Sequence, residues 1–187
     1  ANDDKGFDPI GEGGFGENPF NGTFDGNSHT IANLTIDRPS ENYVGLFGDA
    51  GSSAVITNAS LHNFNVTGEY YAGGLVGQNG GTVRASSATG YINGSEYVGG
   101  LVGDNEGTMK LSYATGNVSG SAYVGGLAGR NGGTVKLSYA TGNVTGSDLS
   151  NYLGGLVGSN SGTVNSSYAT GYVTGYNYVG GLAGYNS

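Results

Sequence analysis

Apolar and polar positions recur along most of this chain in a fixed order. Val98-Gly99-Gly100-Leu101-Val102-Gly103 returns as Val124-Gly125-Gly126-Leu127-Ala128-Gly129 and as Val179-Gly180-Gly181-Leu182-Ala183-Gly184, with variants at 73–77 and 154–158. The steps 73→99, 99→125 and 154→180 are each 26 residues. The step 125→154 is 29, and the three additional residues fall in the polar stretch Ser147-Asp148-Leu149-Ser150-Asn151. A constant period of this length, interrupted only in a polar loop, predicts stacked supersecondary units.

Residues 97–122 show the content of one unit. Tyr97-Val98-Gly99-Gly100-Leu101-Val102 is a short β-prone run broken by two glycines, and 103–107 is a turn cluster. Thr108-Met109-Lys110-Leu111-Ser112-Tyr113-Ala114 alternates with period 2. It is expected to be one half-buried strand, with Met109, Leu111 and Tyr113 on one face and Lys110 and Ser112 on the other. Gly116-Asn117-Val118-Ser119-Gly120 is a third short strand around Val118, and no helical period is visible.

Such a unit points inward about five or six side chains worth roughly 1.5–3 kcal/mol each. That does not offset ordering its residues at about 1–2 kcal/mol apiece. The coils must therefore stack, at about 4.8 Å, each position over its equivalent. The expected inward rows are Leu75, Leu101, Leu127, Leu156 and Leu182; Ile92, Val118, Val144 and Val173; and Val83, Met109, Val135 and Val164. Asn79, Asn105, Asn131, Asn160 and Asn186 share one turn position, where stacked amides can bond along a ladder. Thr82, Thr108, Thr134 and Thr163 form a row, as do Thr89, Thr115, Thr141 and Thr170. Tyr97, Tyr123, Tyr152 and Tyr178 stack in one column, and Tyr113, Tyr139 and Tyr168 in another.

Composition narrows the class. Forty glycines are about three times the average share. Without a Gly-X-Y period they exclude collagen and are expected to serve turns with φ > 0. Cysteine is absent, so stacking rather than disulfides must supply stability. No run of about 18 apolar residues is present, which argues against membrane insertion. The start, Ala1-Asn2-Asp3-Asp4-Lys5, has no apolar signal core, so a secretion signal is expected to be removed or to lie outside this stretch. A net charge of −8 with six basic residues argues against nucleic acid as a partner. Arg84, Lys110 and Lys136 are repeat equivalents and stack into a short positive row, taken as a solvated face in preference to an anion site. All six Phe and all three Pro lie within residues 7–64, and only Tyr43 of fourteen Tyr precedes residue 70, so the chain changes character between about residues 45 and 70. The chain divides into residues 1–45, a Phe/Pro-containing N-terminal segment and first coil, and residues 46–187, the repeats.

Candidate chemistry is sparse. The two histidines, His29 and His62, belong to no zinc motif, and residues 11–16 form a glycine-rich loop without a phosphate-binding lysine. Asp104 and Glu106 share a turn, but their equivalents are Arg130, Gly132, Ser159 and Ser161, so acids do not stack into a catalytic face and no enzyme is expected. No cofactor is expected; the acidic loops at Asp3, Asp4 and Asp8, or at Asp104 and Glu106, are where calcium would sit. Asn21, Asn33, Asn58, Asn65, Asn93, Asn117, Asn143 and Asn165 head Asn-x-Ser/Thr sequons and are candidate glycosylation sites. The column Tyr97, Tyr123, Tyr152 and Tyr178 is the candidate strip for sugar rings or a partner surface, set against the alternative that it only packs against itself.

Tyr-Val-Gly-Gly-Leu-Val-Gly-x-Asn-x-Gly-Thr-Val followed by Ser-Tyr-Ala-Thr-Gly-x-Val-Thr-Gly resembles the GLUG repeat, most clearly at 97–120, 123–146 and 152–175. Residues 24–36 and 44–48 resemble what precedes such repeats, so the resemblance covers roughly 20–187. It implies a right-handed parallel β-solenoid, about 26 residues per coil, capped by an irregular N-terminal segment. It implies an extracellular or cell-surface setting, in filamentous adhesins or the non-catalytic parts of immunoglobulin-A peptidases, and it supplies no catalytic residue. The sequence stops at Gly184-Tyr185-Asn186-Ser187, mid-coil by the repeat. Two expectations follow: a piece of a longer chain whose flanking repeats continue the stack, or an end that docks on the next copy through Phe7, Phe15, Phe20 and Tyr185. The expected function is a structural and adhesive β-solenoid, a surface stalk or filament subunit with host or surface glycans as partners; the alternative is a scaffold segment of a secreted peptidase.

Overall fold

A computed structural model describes residues 4–11, 13 and 18–187. It is an all-β solenoid of parallel strands. Two six-stranded sheets and one thirteen-stranded sheet run along it, so each coil contributes one strand to each of the first two. No helix among the described residues is long and apolar enough to cross a membrane.

The asparagine sheet comprises Phe47–Ala50, Val76–Asn79, Val102–Asn105, Ala128–Asn131, Val157–Asn160 and Ala183–Asn186. The threonine sheet comprises Thr23–Asp25, Val55–Thr57, Thr82–Arg84, Thr108–Lys110, Thr134–Lys136 and Thr163–Asn165. The long sheet carries the remaining strands, including Ser60–Thr67, Ser87–Asn93, Asn117–Gly125 and Val144–Gly154. The inward rows form in the expected register. Phe24, Ile56, Val83, Met109, Val135 and Val164 pair in succession, as do Ile36, Val66, Ile92, Val118, Val144 and Val173. Backbone bonds of 2.9–3.0 Å link Leu75 to Leu101, Leu127, Leu156 and Leu182. The three additional residues bulge out. The ladder runs to Gly120↔Gly146 and resumes at Ala122↔Asn151, leaving Leu149 exposed while the buried Ser150 Oγ accepts the Tyr176 N–H at 3.1 Å.

The asparagine ladder forms, but at the last residue of each strand rather than in a turn: residues 103–105, read as part of a turn cluster, belong to the strand Val102–Asn105. Each Nδ2 donates to the next Oδ1 at 2.7 Å, from Asn79 through Asn105, Asn131 and Asn160 to Asn186. Every buried side-chain polar atom among the described residues is hydrogen-bonded, as a dry interior demands.

Two further expectations are corrected. Thr108–Ala114 is two strands, Thr108–Lys110 and Tyr113–Ala114, broken by a corner at Leu111 with φ 55°. The corner turns Leu111 outward and Ser112 inward, where each serine Oγ accepts the N–H of the preceding coil's serine: Ser112 to Ser86, and Ser138 to Ser112, at 3.2 Å. Period 2 holds only while the strand stays straight, and the corner resets it.

The glycines were expected to supply φ > 0. Among the described residues only Gly6 and Gly11 do so, while the corners are made by tyrosines and by the position of Ala85, Leu111, Leu137 and Ser166. The repeat glycines answer a different need, the close approach of backbone layers. A Cβ on Gly99 would run into the Val102 carbonyl oxygen of its own coil and lie 2.7 Å from the Ala128 Cα of the next, and one on Gly103 would lie 2.7 Å from the Tyr71 carbonyl carbon.

The N-terminal segment is held differently. Ile10 and Phe20 make isolated parallel bridges to Phe47 and Ala50, and Gly6 an antiparallel one to Ile36. Phe20 and Phe24 pack on buried Phe47 with centroids at 4.9 and 5.3 Å. Glu41 accepts Lys5 Nζ at 2.7 Å and Arg38 Nη1 at 2.9 Å.

Candidate functional site

The outer surface is a set of columns, because in-register stacking lays each outward residue over its equivalent. Tyr97, Tyr123, Tyr152 and Tyr178 do form one column, and Tyr43 and Tyr71 extend it to six rings. Successive centroids are 4.8–5.0 Å apart and nearly parallel. The two extra members were legible as Tyr-x-Gly, at Tyr43-Val44-Gly45 and Tyr71-Ala72-Gly73. Each of the six sits at φ between 51° and 61°. A left-handed conformation costs an L-residue roughly 1–2 kcal/mol, and ring stacking worth about 0.5–1.5 kcal/mol per pair offsets much of it. Because each ring covers its neighbour's face, the column presents edges and hydroxyls. Burial pushes the phenols of Tyr43, Tyr71 and Tyr97 up from their ordinary value. Tyr113, Tyr139 and Tyr168 make the second column, at 4.8 and 5.1 Å.

In the asparagine sheet, Asp49, Gln78, Asp104, Arg130, Ser159 and Tyr185 pair in register. Arg130 grips buried Asp104 with two bonds of 3.0 Å and also bonds Glu106. Burial pushes the Asp104 carboxyl up, against the downward pull of Arg130. This clamp between adjacent coils was within reach of the sequence, since Asp104 and Arg130 are equivalents one period apart. Asp104 and Glu106, a candidate calcium loop, thus face a guanidinium. Asp3 of the other candidate loop lies outside the described residues, and Asp8 pairs with Arg38 at 3.2 Å. Among the described residues no group of three or more His, Cys, Asp or Glu is placed to hold a metal ion.

The sequon asparagines Asn21, Asn33, Asn65, Asn93, Asn117, Asn143 and Asn165 are exposed, and Asn58 is half-buried with its Nδ2 on Asp25 at 2.9 Å. Asn117 and Asn143 accept backbone N–H groups of the next coil through Oδ1 at 3.1 Å. Of the residues expected at an assembly contact, Phe7 and Tyr185 are exposed, with Tyr185 edge-on to Tyr152 at 5.6 Å. Phe20 is engaged within its own chain on Phe47, and Phe15 lies outside the described residues. His29 and His62 are both exposed.

The family model of the GLUG motif matches residues 68–93 and 120–145. The matches start 52 residues apart, two periods, and the unmatched coil between them stacks in the same register. The chain is 43% identical over 91 residues to halomucin of Haloquadratum walsbyi, a match covering 49% of this chain and 1% of that protein. It is 37% identical over 81 residues to a protein of Evansella cellulosilytica named as a Gly-rich membrane protein, covering 42% of this chain and 9% of that one. The chain therefore matches only a small fraction of the length of these relatives. No solved structure matches it.

Proposed function

We propose, from the premise that this chain carries GLUG repeats, that it is a non-catalytic structural segment of an extracellular or cell-surface protein, a stalk or filament element with an adhesive outer face. The single observation behind this reading is the unbroken self-pairing. The same apolar rows, the same amide ladder and the same tyrosine column run through successive coils. Such an array is stiff along its axis and grows by adding coils. The names of its relatives, halomucin and a Gly-rich membrane protein, agree with a surface setting.

The glycans and calcium considered from the sequence stay outside this core reading.

Electron microscopy of the purified protein tests it. Straight rods, or fibres whose axial repeat equals one chain length, are expected. Compact globular particles, or hydrolysis of a peptide or glycan substrate that tracks the pure protein, would overturn it.

A further inference from the structure

The six basic residues divide into two groups. Lys5, Arg38 and Arg130 each pair with carboxylates. Arg84, Lys110 and Lys136 pair with none among the described residues, and they stand directly over one another at the edge of the threonine sheet. The column continues to Thr57 and Asn165, and its one acid, Asp25, is two coils from Arg84 and bonded to Asn58 and the Asn27 N–H. Stacking like charges at about 4.8 Å is unfavourable, and the repeat shows that neutral residues fit here.

Beside the two lysines the corner carries Leu111 and Leu137, 45% and 44% exposed, at φ 55° and 52°. Other coils place Asn58, Ala85 and Ser166 there. Two bulky apolar residues in a strained conformation, turned to solvent beside unpaired cations, are costly for the fold alone. The next outward column is the ring stack of Tyr113, Tyr139 and Tyr168. Cations, leucines and tyrosine edges thus form one ribbon along the axis.

We propose that this ribbon binds a linear acidic polysaccharide lying along the solenoid axis. Its carboxylates face Arg84, Lys110 and Lys136, the C–H faces of its sugar rings lie on Leu111 and Leu137, and its hydroxyls meet the tyrosine edges. Three cations in a line call for a linear polyanion, and the flanking leucines and tyrosine hydroxyls suit the C–H faces and hydroxyls of sugar rings better than a phosphate backbone. The ribbon is narrow on a chain of net charge −8, which disfavours a broad anionic membrane surface. This deepens the adhesive part of the reading above and rests on it.

The test is binding of the whole chain to immobilised polygalacturonate at about 0.15 M salt, where charges more than about 8 Å apart are screened. Fully methyl-esterified polymer, polyglutamate and phosphatidylserine vesicles serve as comparison ligands. Wild type is expected to bind polygalacturonate and to ignore the ester. The triple variant Arg84→Gln, Lys110→Gln and Lys136→Gln should bind about tenfold more weakly or worse, with an unchanged circular dichroism spectrum and melting temperature. The variant Asn93→Asp, Thr145→Asp and Thr174→Glu makes the same net-charge change away from the ribbon and should lose little. Leu111→Asn with Leu137→Asn should weaken binding several-fold while leaving the cations in place. The proposal is overturned if wild type does not bind, if both charge variants lose binding equally, or if polyglutamate or vesicles bind more tightly. Failure here with intact rods by microscopy removes the ligand and leaves the structural reading standing.

Discussion

The N-terminal segment and the repeat array share one stack but are held by opposite strategies. In the array a residue meets its own equivalent, so Asn bonds Asn, Tyr covers Tyr and Leu lies over Leu. In the segment each residue needs an unlike partner: Lys5 and Arg38 share Glu41, Asp25 binds Asn58, and Phe20 and Phe24 fill the space around Phe47. Self-pairing makes a position's success in one coil a guarantee in the next, and one local defect a defect in two interfaces. Unlike pairing confines damage but has to be specified contact by contact.

The largest effect is expected from glycine substitution, at one array site closed off by backbone and one open site in the segment. Gly125→Ala drives a Cβ into the Ala128 carbonyl oxygen of its own coil and to within 2.7 Å of the Gly158 nitrogen of the next, backbone that cannot yield. We expect a loss of about 4 kcal/mol or more, read as a collapse of the melting transition. Gly22→Ala meets only the Phe20 ring edge at 3.2 Å and should cost less than about 1 kcal/mol. Equal losses would mean that backbone approach does not set the cost at these two sites.

A smaller effect is expected from the ladder. Asn105→Ala removes the ladder bond from Asn79 Nδ2 and the one to Asn131 Oδ1, leaving both buried groups short of a partner at about 2–4 kcal/mol. Hydrogen exchange should then rise in the coils on both sides. Phe20→Ala should raise exchange only around residues 47–51, where the Phe20 backbone is bonded.

Acid should act on the regions in opposite senses. The Lys5 ammonium and Arg38 guanidinium hold Glu41 below its ordinary 4.5. The stability it contributes is present above 4.5 and lost as pH falls through the lowered value. Burial raises Asp49 above its ordinary 3.8, so its contribution is full below 3.8 and lost as pH rises through the raised value. Acidification should therefore loosen residues 5–8 and 38–41 first, visible as faster exchange there than in the coils beyond. Simultaneous release of both regions would contradict this assignment.

The smallest effect is a gain. Leu111→Asn puts a residue tolerant of φ > 0 at an exposed corner and should stabilise by about 1 kcal/mol, measured as a rise in melting temperature. No gain would show that the corner is unstrained.

The period, the inward rows, the asparagine ladder and the tyrosine columns were all legible in the sequence, since in an in-register stack a residue's partner is its own repeat. Even the Asp104–Arg130 clamp obeys that rule with one member exchanged. Three features needed the third dimension. Leu111 breaks the period-2 pattern because the corner, a property of how three sheets close around a core, reverses which face its neighbours take. Gly103 is explained by backbone of the neighbouring coil, adjacent only after stacking, and Gly99 by a corner that folds the Val102 carbonyl of its own coil back onto it. The packing of Phe20 and Phe24 on Phe47 has no repeat behind it, so no periodicity announces it. Self-similar contacts can be read along one dimension, whereas contacts between unlike layers exist only once the chain has closed.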